Sequence, residues 1–198
     1  MKILHIDSAT TGDNSVSREL TRAAVEHFKA EYPDATVETL DLGTAPLPHL
    51  DPVTTGAIRL PAEAHTEAMA AAFPAERAVL DQFLSSDIVI IGAPMYNFTV
   101  PSQLKAWLDR LGVPGVTFSY SEKGPEGLAG GRRVIVLSSR GGVYEMGGPA
   151  EHQETLLRAF FGFIGIPDVE FIRAEKIGFG PEARAAAIAE AKAEIAKL

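Results

Sequence analysis

The feature that most constrains this chain is a pair of short runs that are apolar at consecutive positions. Ile88 to Gly92 and Val134 to Leu137 have no polar face. A strand wetted on one side alternates apolar with polar residues. A continuous apolar run marks a strand covered on both faces, as in a parallel sheet with helices above and below it. After the first of these runs, Leu104, Trp107, Leu108 and Leu111 fall at i, i+3, i+4 and i+7, which is one face of a helix.

The rest of the chain keeps this alternation. A first strand is predicted over Lys2 to Asp7, followed by a polar loop from Ser8 to Ser17 and a helix from about Val16 to Tyr32 that stops before Pro33. A second strand follows over Thr36 to Leu42. An Ala-rich helical stretch runs from about His65 to Ser86, and Pro74 is expected to kink or split it. The later elements are a helix over Ala150 to Ile164, a strand over Asp168 to Ile177 and a helix from Pro181. In that last helix Ile188, Ala191, Ile195 and Leu198 share one face, and proline suits the first turn. Five strand–helix repeats without a hairpin signal between main strands predict an α/β three-layer sandwich with a five-stranded parallel sheet. At 198 residues the chain is read as one domain over 1–198. Right-handed crossovers leave few topologies, and strand order 2-1-3-4-5 fits best. Ligands of such sheets bind beyond the carboxyl ends of the strands, at the switch point between strands 1 and 3. Two segments lie outside the pattern. Residues 43–64, rich in Pro, Gly and Thr, read as a long irregular cover, and 115–131 as an extended arm with Gly turns.

Composition removes several function classes. Net charge is -8, which argues against a nucleic-acid surface and against electrostatic membrane binding. There is no cysteine, so thiolate nucleophiles, disulfides and Cys-ligated metal clusters are excluded, and redox chemistry needs a bound cofactor. The short apolar run "MKILHI" breaks at Asp7 and is read as no signal peptide, and no later run reaches spanning length. The expectation is a soluble cytoplasmic protein. The histidines, His5, His27, His49, His65 and His152, have no metal-ligand spacing. There is no Gly-Lys-Ser/Thr P-loop and no G-x-S-x-G elbow. Gly178 to Ala183 matches G-x-G-x-x-A, but no further strand or acidic residue follows in the right place, so it reads as a turn and a Pro-started helix. Asp7 lacks the acidic partners of a response-regulator receiver.

Three loops start at the strand ends that this topology brings together. The first, "SATTGDNSVSREL", is dense in hydroxyls and opens a helix. Ser15 and Ser17 with free amides form an anion site suited to a phosphate monoester that is held and not transferred. The same residues equally suit plain N-capping by Asn14 or Ser15. The second, "PMYNF", places Met95, Tyr96, Asn97 and Phe98 where a tight turn is normally small and polar. These can flank a flat aromatic ligand, with the Asn97 amide at its edge; they can also cap the core. The third, "SSRGG", offers the Gly141 and Gly142 amides near Arg140 to negative charge on a ring edge, or is a Gly-rich turn.

The blocks "APMYNF", "PSQLKAWLD", "GVTFSYSEKGPEGL", "SSRGG" and "FFGFIGI" resemble, in the same order over nearly the whole chain, the FMN-dependent NADH-azoreductases, relatives of the NAD(P)H-quinone reductases. The resemblance implies a flavodoxin-like homodimer with one FMN per subunit and sites at the dimer interface. It implies two-electron, ping-pong hydride transfer from NADH through FMN to a quinone or aromatic azo acceptor, with no side chain as nucleophile. By position, Ser15, Val16 and Ser17 would hold the FMN phosphate. Met95, Tyr96, Asn97, Phe98, Ser139, Arg140, Gly141 and Gly142 would contact the flavin. Where the family often has paired serines after the first strand, this chain has Ser8 and Ala9, so Ser8 or Thr10 would have to replace one bond. Phe98, Tyr120 and Phe161 to Phe163 would line the substrate side, and Arg59 would reach the partner subunit's site. The alternative is a flavodoxin-type one-electron carrier. The 43–64 and 115–131 segments favour a covered slot and hence the enzyme.

Overall fold

The computed structural model describes residues 1–122 and 124–198. Its central sheet holds β1 (Lys2–Asp7), β2 (Thr36–Asp41), β3 (Ile88–Pro94), β6 (Arg133–Ser139) and β7 (Val169–Ala174). All four pairings are parallel, in the order β2-β1-β3-β6-β7. Counting only these strands, that is the expected 2-1-3-4-5, a flavodoxin-like sheet. Its two central strands are the apolar runs: every residue of β3 is buried, and so is β6 after its first residue.

Alternate strand residues feed two cores. On one face Ile3, Ile88, Ile90, Ile135 and Leu137 pack against α1 (Val16–Glu31) and α6 (Pro181–Ile195). On the other, Leu4, Ile6, Val89, Ile91 and Val136 meet α3 (Glu67–Leu84), α4 (Ser102–Leu111) and α5 (Gln153–Phe163). Trp107 of α4 is fully buried there, its ring edge-on to Phe83 at 5.8 Å. Among the described residues no helix is long and apolar enough to cross a membrane.

Two expectations need correction, and a third is sharpened. The 43–64 segment is not irregular throughout: it contains α2 (Pro52–Arg59). Asp51 caps it, accepting from the Thr54 amide at 2.7 Å while Thr54 Oγ1 answers the Asp51 amide at 2.9 Å. With Pro52 in the first turn, this is a complete helix start that Pro, Gly and Thr content disguised. Second, Pro74 does not split α3, which runs unbroken through it. Pro74 is exposed, so water can take the carbonyl that the missing N–H leaves free. Third, the 115–131 arm is a hairpin, β4 (Phe118–Ser121) with β5 (Gly124–Gly127), separate from the main sheet. Its base lies flat on the end of α5: a Cβ on Gly127 would stand 2.1 Å from the Gly165 amide nitrogen. Only glycine allows that approach.

Candidate functional site

The carboxyl ends of β1, β3 and β6 carry the three loops, and hydrogen bonds lock them together. The Met95 amide donates to the Ser139 carbonyl at 2.8 Å, joining the second loop to the third. The Tyr96 phenol accepts from the Thr10 amide at 3.1 Å, joining the second to the first. Between them lies a cleft of about 240 Å³ lined by Ser15, Val16, Met95, Tyr96, Ser139 and Gly141, together with Thr11, Asn14, Ile177 and Arg184. A wider cleft of about 630 Å³ lies on the far side of the second loop, with Thr10, His49, Asn97, Thr99 and Lys105 in its walls. Tyr96 belongs to both.

The first loop enters α1 through Ser15, whose Oγ accepts from the Arg18 amide at 3.2 Å and lies 3.1 Å from the Ser17 hydroxyl. Capping by Ser15 is therefore present, and it leaves the Val16 and Ser17 amides without an acceptor among the described residues. Capping and anion binding turn out to be compatible. Ser8 and Ala9 do not line the cleft. The Ser8 hydroxyl is buried and donates to the Gly92 carbonyl at 2.6 Å, so it is not free for a ligand. Ala9 is buried beside Gly43, where a Cβ would stand 2.0 Å from the Ala9 carbonyl oxygen. Thr10 is held by Tyr96.

The second loop turns sharply at Asn97 and Phe98, with φ of 47° and 72°. Left-handed backbone is tolerable for Asn but costly for Phe. Phe98 is nevertheless half exposed, its ring edge-on to Tyr144 at 6.2 Å. A strained residue that displays a large apolar ring points to a contact outside the fold. The Asn97 and Phe98 amides also have no acceptor among the described residues.

In the third loop the Gly141 and Gly142 amides are likewise without acceptors among the described residues, while their carbonyls are held by Gly178 and Lys176. Arg140 departs from expectation. Its guanidinium does not face the cleft; it is 1% exposed and turned inward. Nη2 reaches Glu154 at 2.7 Å and Glu151 at 3.3 Å, and Nε donates to Ser138 Oγ at 3.0 Å. Arg173 also grips Glu154. Burial works to raise the Glu151 carboxyl, but amide donors from Glu154 and Thr155 and the nearby Arg140 outweigh it and keep it below the usual range. Gln153 completes the set, its Nε2 bonded to the Ala93 carbonyl at 2.9 Å. The "EHQE" run after the Gly-rich loop was the signal for this buried scaffold.

The residues expected on the substrate side scatter. Phe161 is fully buried among Phe83 and Phe160, so it is core and not a wall of the slot. Phe163 packs on Phe118 at 4.5 Å. Tyr120 is 74% exposed on the hairpin and lines neither cleft. Arg59 lines a separate apolar cavity of about 340 Å³ with Phe73, Leu80 and Val113, which shares no residue with the clefts. Sequence reasoning missed Thr11, Asn14, Ile177, Arg184 and Tyr144. Only the tertiary fold brings Ile177, and Arg184 of α6, to the first loop.

A family profile described as a flavodoxin-like fold matches residues 1–198. The chain is 52% identical to the FMN-dependent NADH:quinone oxidoreductase of Rhizobium meliloti, covering 100% of this chain and 96% of that protein. The chain belongs to this family. It is also 52% identical to the enzyme of the same name from Methylocella silvestris, over 100% and 98% of the two chains. An azoreductase crystal structure from Bacillus anthracis superposes with a TM-score of 0.89 at 31% identity, covering 100% of this chain and 97% of that one. An FMN-dependent NADH-azoreductase from the same organism, solved in complex with FMN, gives 0.84 at 27%, over 99% and 98%. The residues present fit FMN: amides without acceptors stand at a helix start for a phosphate, and two further amide pairs without acceptors lie on the second and third loops.

Proposed function

We propose that the protein is an FMN-dependent NADH:quinone oxidoreductase that also reduces aromatic azo compounds. The observation that carries this is the set of six amides without acceptors, two on each of three loops, gathered at the switch point of the sheet. Bound FMN supplies a two-electron relay from NADH to the acceptor. The chain's own residues do the rest. The Val16 and Ser17 amides, at the positive end of α1, hold the phosphate. Met95 and Tyr96 would hold the flavin ring, and the Asn97 side chain would offer it a hydrogen bond. The Gly141 and Gly142 amides would stabilise negative charge on the bound flavin. Phe98 offers a face against which the second ring stacks and from which water is displaced.

A homodimer completes the slot in this reading. Arg59 and Tyr120 stand away from their own cleft, so a second copy is the route by which they reach a substrate. The protein is assigned to the cytoplasm, where its reductant NADH is available. The test is a single assay: deflavinated protein, FMN, NADH and a benzoquinone or azo dye. NADH oxidation should require both FMN and acceptor. NADH oxidation that is absent under these conditions, with FMN bound, would turn the reading to a one-electron carrier. Sedimentation of the FMN-loaded protein checks the dimer.

A further inference from the structure

We infer that Arg184 binds the phosphate of FMN and makes the site select FMN over riboflavin. The inference rests on the placement of the phosphate at the start of α1 proposed above.

Arg184 sits in the first turn of α6, after Pro181, and lines the same cleft as Ser15 and Val16. Its Nη2 donates to the Asn14 carbonyl at 2.9 Å. That bond uses one of five N–H donors and turns the planar fork toward the loop that opens α1. Nearby arginines are neutralised: Arg18 grips Asp41 and Asp7, and Arg22 pairs with Asp13. Arg184 has no carboxylate within ion-pair distance among the described residues. In a chain of net charge -8, a cation left unpaired in a cleft beside acceptor-free amides calls for an anion. A terminal phosphate monoester matches the fork and the charge; the neutral ribityl hydroxyl of riboflavin does not.

The position is fixed before any ligand arrives. Ala187, Ile188 and Ala191 bury α6 against the sheet, and Lys192 ties it to Glu19 of α1 at 2.8 Å. The helix that carries the fork therefore needs no ordering on binding.

The test titrates the deflavinated full-length protein with FMN and with riboflavin, following flavin fluorescence, at two ionic strengths. Arg184→Ala should weaken FMN at least about tenfold and leave riboflavin unchanged, because only the phosphate contact is lost. The salt dependence of FMN affinity should flatten. Arg184→Lys should fall between, since it keeps charge without the fork. Val16→Pro deletes one amide at a position where proline is tolerated, and reports on the phosphate placement independently. If Val16→Pro weakens FMN selectively while Arg184→Ala binds both flavins as wild type, the inference about Arg184 is overturned and the placement stands. If neither variant discriminates FMN from riboflavin, the phosphate placement fails and takes the inference with it.

Discussion

The phenol oxygen of Tyr96 accepts from the Thr10 amide at 3.1 Å and lies 3.2 Å from its hydroxyl, across 86 positions of sequence. This is the direct side-chain tie between the first loop and the second. Tyr96→Phe keeps the ring plane and removes the tie. The bond is near solvent, so its loss should cost the low end of a neutral hydrogen bond, about 0.5–1 kcal/mol, or roughly a threefold rise in the FMN dissociation constant. Fluorescence titration measures it. A thirtyfold loss would mean that the phenol touches FMN itself.

At Phe98 the backbone and the side chain make separable predictions. Phe98→Ala should raise KM for quinone or azo dye while FMN affinity stays within about twofold, since the ring is displayed and not buried. Equal loss of FMN and activity would contradict that division. Ordinarily glycine is less stable than alanine, but at φ 72° the order should reverse. Phe98→Gly should be more stable than Phe98→Ala by about 1 kcal/mol in urea denaturation.

The sheet was legible because β3 and β6 are buried on both faces and carry an unbroken apolar pattern, a signal local in sequence. The three loops followed from topology alone. What stayed hidden was side-chain direction. Arg140 adjoins the Gly–Gly pair and read as a ligand contact, yet its guanidinium turns inward to carboxylates 11 and 14 residues on. Phe161 carries no mark that separates a core aromatic from a slot aromatic. Arg184 is 170 positions from Asn14, and no pattern links them before α1 and α6 pack side by side. Helix α2 was recoverable: Asp51, Pro52 and Thr54 spell a capping box that composition obscured.

The Arg140 network predicts stability before catalysis. Arg140→Met leaves Glu151 and Glu154 buried, with Arg173 as Glu154's remaining strong partner. Removing one partner of a buried charge set costs about 3–5 kcal/mol. Thermal melting of the FMN-free protein should show that loss without any ligand present. If the FMN-free melting point is unchanged and only FMN affinity falls, the guanidinium contacts the flavin and its inward placement is wrong.

A last prediction concerns acid. Arg18 grips Asp41 in a two-point pair at 2.7 and 2.9 Å. That bond first, then donors from Thr44 and the Gly43 amide, hold the Asp41 carboxyl at about 2 against an ordinary 3.8, although partial burial pushes the other way. A depressed carboxylate stabilises the fold above its unfolded value and loses that contribution as pH falls through its folded value. The window is therefore from about pH 4 down to about pH 2. Asp41 keeps about a quarter of its side chain in water, so the contribution is held to about 1–2 kcal/mol. Arg18 also reaches the Ala9 carbonyl at 3.5 Å, so the pair is tied to the loop after β1. Asp41→Asn should be less stable than wild type in urea at pH 7, and the gap should narrow as pH falls below about 4 and close only below about pH 2. A gap that keeps its size across that range would show that the Arg18–Asp41 pair is not the source of the acid sensitivity.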